Sequence, residues 1–324
     1  MIKKKMFCTV LFAAIMVLSF SYTAFAASPN NMYYTSNRIL RLRRDSRFPV
    51  SVYDMQRYDF YTVNRFEFRL PGRFNEWLGW GEYIIDDDLL HSVRVETGDN
   101  HTSIIFNQKQ VLAYNFWEDS EFIYIQPVHP RERYDRIVVL DPGHGGRDPG
   151  AVGNGLRESD INLDISNRLI DLIQRDGQIK VYATRTTDVL VDLFERPRWS
   201  NSIGDIFISI HQNAAGAGNT RANGTETFYT PRPQDSELGF SSRQMADIFQ
   251  RNLIGDLGLT NRGVKSSRFV VLRYGVIPSV LVEVGFVSNP GDAAQLATEA
   301  FRQRAAESLY RSILETFNNY TPPR

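Results

Sequence analysis

Cysteine is nearly missing from this 324-residue chain: Cys8 is the only one, and it lies at the start of the first apolar run. That excludes a disulfide framework and a thiolate metal site, so any metal ion must be held by His and carboxylate oxygen. Histidine is scarce as well, with five in all. Charge of one sign is not in excess: 37 Lys and Arg balance 37 Asp and Glu. The balance gives no electrostatic reason to expect a nucleic-acid partner. No Gly-Lys-Ser/Thr loop and no GxGxxG is present, which argues against a phosphate cradle at the Gly-rich turn after residue 142. Internal repeats and low-complexity tracts are lacking. The first apolar run, Met6 to Phe20, is shorter than the ~20 residues a spanning helix needs.

What is present begins with a leader. Lys3, Lys4 and Lys5 precede that run, and Ala24-Phe25-Ala26 is a small-x-small cleavage site. This order predicts a secretory signal peptide over residues 1–26, hence an exported protein of the cell wall, periplasm or extracellular space with no stable membrane insertion after cleavage. A retained anchor is the alternative. Removing the leader takes three Lys and leaves 34 basic against 37 acidic residues, a formal charge of −3. The remaining length suits two domains.

Residues 28–126 read as a small β-rich domain. Phe66, Phe68 and Leu70 alternate with charged residues before Pro71-Gly72, and Ser92–Val95, Ser103–Phe106 and Glu121–Ile125 are strand-like. No catalytic constellation is evident there: His91, His101 and His129 are scattered. Arg38, Arg41, Arg43, Arg44 and Arg47 form a basic run, read as a solvated segment rather than a polymer-binding patch. Residues 127–134 read as a linker. From residue 135 to 320 strands alternate with helices, which predicts an α/β domain with a mainly buried sheet flanked by helices on both faces. Strands are expected at 135–140, 178–184, 205–211, 225–230, 269–273 and 279–284. Helices are expected at 159–175, 196–203, 241–257 and 301–318.

Four residues of this second domain stand in contexts suited to chemistry. His144 ends the first buried strand in Leu140-Asp141-Pro142-Gly143-His144-Gly145-Gly146, and His211 ends another in Ser209-Ile210-His211. Sites in open α/β sheets form beyond the ends of strands, so both imidazoles can reach one crevice. Glu158 sits at a helix start, 14 residues past His144. Two His and one carboxylate make a three-ligand zinc set with one position open for water. Glu283 interrupts the apolar strand Val280-Leu281-Val282-Glu283-Val284, where a charge needs a partner or a function. It is placed as the acid/base of a zinc-assisted hydrolysis. Asp141 is a support for the metal site or a strand-end cap, and the spacing does not separate the two. Arg185, Asp188, Arg196 and Asn201 are read as structural.

Several stretches, in order, resemble the zinc-dependent N-acetylmuramoyl-L-alanine amidases of the amidase-3 type: residues 140–146, Asp-Pro-Gly-Ala (148–151), Glu158 with Asn162-Leu163, Thr184-Arg185, Ser-Ile-His-Gln-Asn (209–213), Arg-Gly-Val-Lys (262–265) and Pro278 to Asn289. The resemblance implies one zinc ion per chain on His144, Glu158 and His211, with Glu283 as acid/base. It also implies cleavage of the amide between N-acetylmuramic acid and the stem-peptide L-alanine of peptidoglycan. The first domain resembles the AMIN module that helps target some of these amidases to the wall, on His91-Ser92-Val93-Arg94-Val95. Some relatives carry a helical insertion that plugs the site; residues 230–262 hold a short loop and one ordinary helix, so no plug is expected. The sequence names no protein activator. The rival readings are a zinc peptidase acting within the stem peptide and a non-catalytic wall-binding or activator protein.

Overall fold

The computed structural model describes residues 31–216, 219–235 and 237–324. The expected signal peptide and Cys8 lie outside these residues. Among the described residues no helix is long and apolar enough to cross a membrane.

The first part of the chain forms two antiparallel sheets. One has four strands in the order Met32–Tyr34, Leu40–Arg43, Phe122–Val128, Ala113–Glu118; the other has five in the order Gln56–Phe60, Arg65–Pro71, His101–Gln108, Leu90–Thr97, Gly81–Ile84. Their inward residues, Leu42, Ile123 and Ile125 against Phe68, Val93 and Phe106, share one core. The alternation around Phe66 is thus a half-buried strand, as expected. Its exception is Glu67, which is buried and held by Arg65, Arg69 and Ser103. The arginine run is an ordered segment in which Arg38, Arg43 and Arg47 stay exposed, as expected of a solvated stretch. Residues Leu40–Arg43 are a paired strand, and the guanidiniums have local partners: Arg38 on Asp88, Arg44 on Glu118, Arg47 on Asp45 and Trp77. Acids brought near by folding thus pair with three of the five arginines.

Residues 127–134 contain a short helix, Pro130–Arg133, capped by the His129 side chain. His129 Nε2 also lies 2.9 Å from the Ser202 carbonyl, so this junction is docked on the second domain. Farther along the same junction Tyr61 meets Tyr182 edge-to-face and stacks on Trp199, and Lys180 pairs with Asp59 at 3.0 Å.

The second domain is built on a six-stranded sheet in the order Lys180–Ala183, Ile137–Pro142, Ile206–Asn213, Ser279–Phe286, Thr225–Tyr229, Asn261–Ser266. All neighbours run parallel except Thr225–Tyr229 against Ser279–Phe286. The period of two sends alternate residues to opposite faces. Val138, Leu140, Ile208 and Val282 pack under the helices Glu158–Asp176, Ser242–Leu257 and Glu299–Asn319. Ile137, Val139, Phe207 and Leu281 pack under Glu195–Ile203 and Val270–Arg273. Burial on both faces is why these strands read as continuous apolar runs.

Three elements depart from expectation. Residues 269–273 are not a strand: Val270–Arg273 is a short helix that buries Val271 and Leu272. A run this short does not separate the two periods. Asn261–Ser266 is an edge strand with almost no apolar alternation, paired with Thr225–Tyr229. A further helix, Pro290–Leu296, is started by the Asn289 side chain with Pro at its first turn.

Candidate active site

The first imidazole is placed by a strained turn. His144 has φ of +62°, a left-handed conformation rare outside glycine, and Gly145 and Gly146 follow with φ of +125° and +60°. Gly143 is required for a different reason: a Cβ there would stand 2.2 Å from the His211 ring. Two buried cations pin this turn by its carbonyls. Arg185 donates to Pro142 O at 2.9 Å, Gly143 O at 2.9 Å and Ser159 O at 2.8 Å. Arg196 donates to Pro142 O and to His144 O, both at 3.0 Å. Arg196 also pairs at 2.8 Å with Asp141, which takes hydroxyl hydrogen bonds from Thr184 and Ser209. Burial pushes the Asp141 carboxyl up, but Arg196 and the two hydroxyls outweigh it and hold the group below the usual carboxylate range. Asp141 therefore anchors the turn and makes no hydrogen bond to either imidazole among the described residues.

Arg196→Met leaves Asp141 charged and unpaired in the core. It is expected to cost about 3–5 kcal/mol of stability, in line with breaking a buried pair on one side. Urea unfolding measures this directly; a loss below about 1 kcal/mol, the range of exposed pairs, would contradict the anchoring role.

The carboxylate returns to the imidazoles through a hairpin. Val152–Gly153 pairs with Leu156–Arg157, and the next residue, Glu158, opens the long helix. Glu158 Oε2 accepts the Ala151 N–H at 2.7 Å, which fixes the side chain. Its Oε1 lies 2.7 Å from His211 Nδ1 and 3.3 Å from His144 Nε2, and also accepts the Gln212 N–H at 3.1 Å. Asp148 stands 2.8 Å from His144 Nδ1 and so aims Nε2 at Glu158. Burial pushes Glu158 up, but the two imidazoles outweigh it and hold the carboxyl far below its ordinary range. His144, Glu158 and His211 each present one donor atom, all within 4.8 Å of one another, and the group can hold a metal ion. A Cβ at Gly150 would stand 2.6 Å from Glu158 Oε2, so the cradle is closed around its donors.

Glu283 stands in register with His211 on the neighbouring strand and with Glu226 on its other side. Its Oε2 is buried without a hydrogen-bond partner among the described residues. Burial, and then the charges of Glu158 and Glu226, push its carboxyl well above the usual range. Glu226 differs: Asn213 donates to it at 2.6 Å, and Arg262 and Lys265 pair with it. Burial pushes Glu226 up too, but the two cations outweigh it and keep the group below its usual range. A cavity of about 510 Å³ opens over His144 and His211.

The structure thus brings together all four residues singled out in sequence. It leaves His91, His101 and His129 away from them, in the first domain and the junction. Asp148 and Glu226 were missed. Asp148 falls in a turn without periodicity, and Glu226 depends on cross-strand register. Arg185, Arg196 and Asp188 are structural as read, but what they hold is the His144 turn; Asp188 accepts the Gly146 N–H at 2.7 Å. Asn201 ties its helix to the Tyr274–Val276 segment.

A parallel-rich α/β sheet with a His-Glu-His centre at its strand ends, and a second carboxylate beside it, defines a class of candidate metallohydrolases. Residues 138–315 match the family model for N-acetylmuramoyl-L-alanine amidase of the amidase-3 type. The chain belongs to that family. It is 41% identical over 179 residues to the uncharacterized protein YqiI of Bacillus subtilis strain 168, covering 55% of this chain and 83% of YqiI. It is 37% identical over 174 residues to the N-acetylmuramoyl-L-alanine amidase LytC of the same strain, covering 53% of this chain but 34% of LytC. Among solved structures, the N-acetylmuramoyl-L-alanine amidase from Clostridium difficile 630 superposes with a TM-score of 0.53 at 31% identity, over 56% of this chain and 97% of that one.

Proposed function

We propose that this protein is an exported peptidoglycan hydrolase that holds one zinc ion on His144, Glu158 and His211. It cleaves the amide between N-acetylmuramic acid and the L-alanine of the stem peptide, with Glu283 as acid/base. The observation that supports this most is the convergence of those three donors beside a buried carboxylate with an unpartnered oxygen, on the scaffold of the amidase family. The donor set fits zinc: two nitrogens and one oxygen, no thiolate, with His144 aimed by Asp148 and Glu158 by the Ala151 N–H. When bound, the ion activates water and polarises the amide carbonyl. Glu283 takes a proton from the attacking water and gives it to the leaving nitrogen. A carboxyl with a raised pKa suits both halves of that exchange.

The rest of the reading follows the same line. Residues 1–26 are the signal peptide, 28–126 an AMIN-like wall-targeting domain and 127–134 the junction. The helix Ser242–Leu257 buries Met245, Phe249 and Leu253 in the core rather than over the site, which supports an enzyme without an internal plug. Mass spectrometry of muropeptides released from purified wall tests the function. New L-alanine amino ends, lost when a chelator is added, are expected. Cuts inside the stem peptide would favour a zinc peptidase instead, and no release at all would favour a binding protein.

Acid sensitivity follows from the His144 surroundings. Burial lowers its affinity for a proton, but Glu158 and Asp148 outweigh this and raise its pKa above the ordinary 6.5. A proton on the ring competes with the metal, so zinc affinity is expected to fall as pH drops through that raised value. Zinc titrations across roughly pH 5 to 8, the range in which histidine switches, check this. A flat affinity over that range would remove His144 from the ligand set.

A further inference from the structure

Among the described residues, one charged group lining the cavity over the two imidazoles makes no hydrogen bond or ion pair. Its walls are mainly apolar: Leu190, Leu193 and Phe269 are 44%, 49% and 40% exposed, and Val270, Val271 and Leu281 continue the surface inward. Five charged side chains besides the imidazoles line it. Asp141 and Arg196 neutralise one another. Asp148 is engaged by His144, and Asp192 accepts the Phe194 N–H at 2.8 Å. Arg268, the fifth charged residue of the lining, is exposed and makes no hydrogen bond or ion pair among the described residues. A guanidinium left free at the mouth of an apolar cleft is a ready carboxylate fork.

We infer that Arg268 binds a substrate carboxylate and makes this enzyme selective for acidic stem peptides. The inference rests on the amidase reading and adds to it which side of the scissile amide occupies this cavity. The mainly apolar walls suit the methyl of L-alanine and an extended peptide. The carboxylate then belongs to the residue that follows L-alanine in the stem. Apolar contacts on Leu190, Leu193 and Phe269 seat the peptide, and Arg268 fixes its register relative to His144 and His211. Arg268 is a specificity residue; it takes no part in the proton transfers.

The test uses the zinc-loaded full-length protein and two muropeptides that differ at one group. In one, the residue after L-alanine has a free α-carboxylate; in the other, that carboxylate is amidated. The wild type is expected to prefer the acid by about tenfold in kcat/KM, mainly through KM, the size of one charge-assisted contact at a partly exposed site. Arg268→Gln is expected to bring the acid-to-amide ratio to near one, and Arg268→Lys to retain part of the preference. A wild type that cuts both substrates equally, or a ratio unchanged in Arg268→Gln, overturns the assignment while leaving the amidase reading intact. If the loaded wild type cuts neither, the amidase reading falls and this assignment falls with it.

Discussion

Glu283→Gln is expected to lower wall hydrolysis by about 10²–10⁴-fold while one zinc ion per chain remains bound, the range associated with a positioned acid/base. The geometry supplies the reason for the separation. Glu283 is on the strand Ser279–Phe286, beside His211 but outside the His144–Glu158–His211 donor group. Its amide replacement keeps size and shape in a strand whose neighbours are fully buried. It removes only the capacity to accept a proton and return it. The loss should appear in kcat, with KM little changed, because the proton moves in the transition state and not on binding. Metal content by mass spectrometry and steady-state kinetics on the same preparation decide the matter. Turnover within a factor of a few of wild type would refute the role of Glu283.

Glu158→Gln is expected to act one step earlier, on the metal itself. The carboxylate is the common neighbour of both imidazoles, with Oε1 facing His211 Nδ1 and His144 Nε2. Its far oxygen is held by the Ala151 N–H, so its position does not depend on the ion. Substitution removes the one negative charge in the donor group. Changes to groups that merely orient ligands cost about 10–100-fold in metal affinity, so loss of the ligand charge should exceed that. Zinc content after dialysis should drop from near one to well below it, and the gain in melting temperature on adding zinc should vanish. Glu158→Gln keeping a full equivalent of tightly held zinc would sink the three-ligand assignment. The contrast with Glu283→Gln is the useful part: one variant is inactive and loaded, the other inactive because it is empty.

The candidate site was unusually legible because its residues sit where local pattern changes. His144 and His211 each end a run of apolar residues, and a run buried on both faces is easy to recognise. Glu283 stood out as a charge inside such a run. Glu158 was weaker by itself: nothing in the spacing says that the hairpin Val152–Arg157 folds the chain back. Resemblance to the amidases supplied the rest. The edge strand Asn261–Ser266 escaped because it has no apolar alternation, and residues 269–273 were assigned the wrong element because the four apolar residues Phe269, Val270, Val271 and Leu272 fit either period. The arginine run Arg38–Arg47 hid its ion pairs for a related reason. Its acidic partners, Asp88 and Glu118, lie far along the chain.

Sequence alone determined that the second domain is an α/β sheet, which two histidines end its buried strands, which glutamate interrupts one and which opens a helix. Hydrophobic period and local breaks in it contain that information. Only the tertiary structure decided how those side chains are held. The clamp of Arg185 and Arg196 on the His144 turn and the row His211–Glu283–Glu226 depend on close approach between separate segments, and the aim given to His144 by Asp148 on the conformation of one turn. Arg196 and Asp141 are 55 residues apart, and no periodicity spans that distance. The guanidinium of Arg268, without a partner among the described residues, belongs with these: a residue's lack of a partner is a property of the folded surface, and a sequence does not record it.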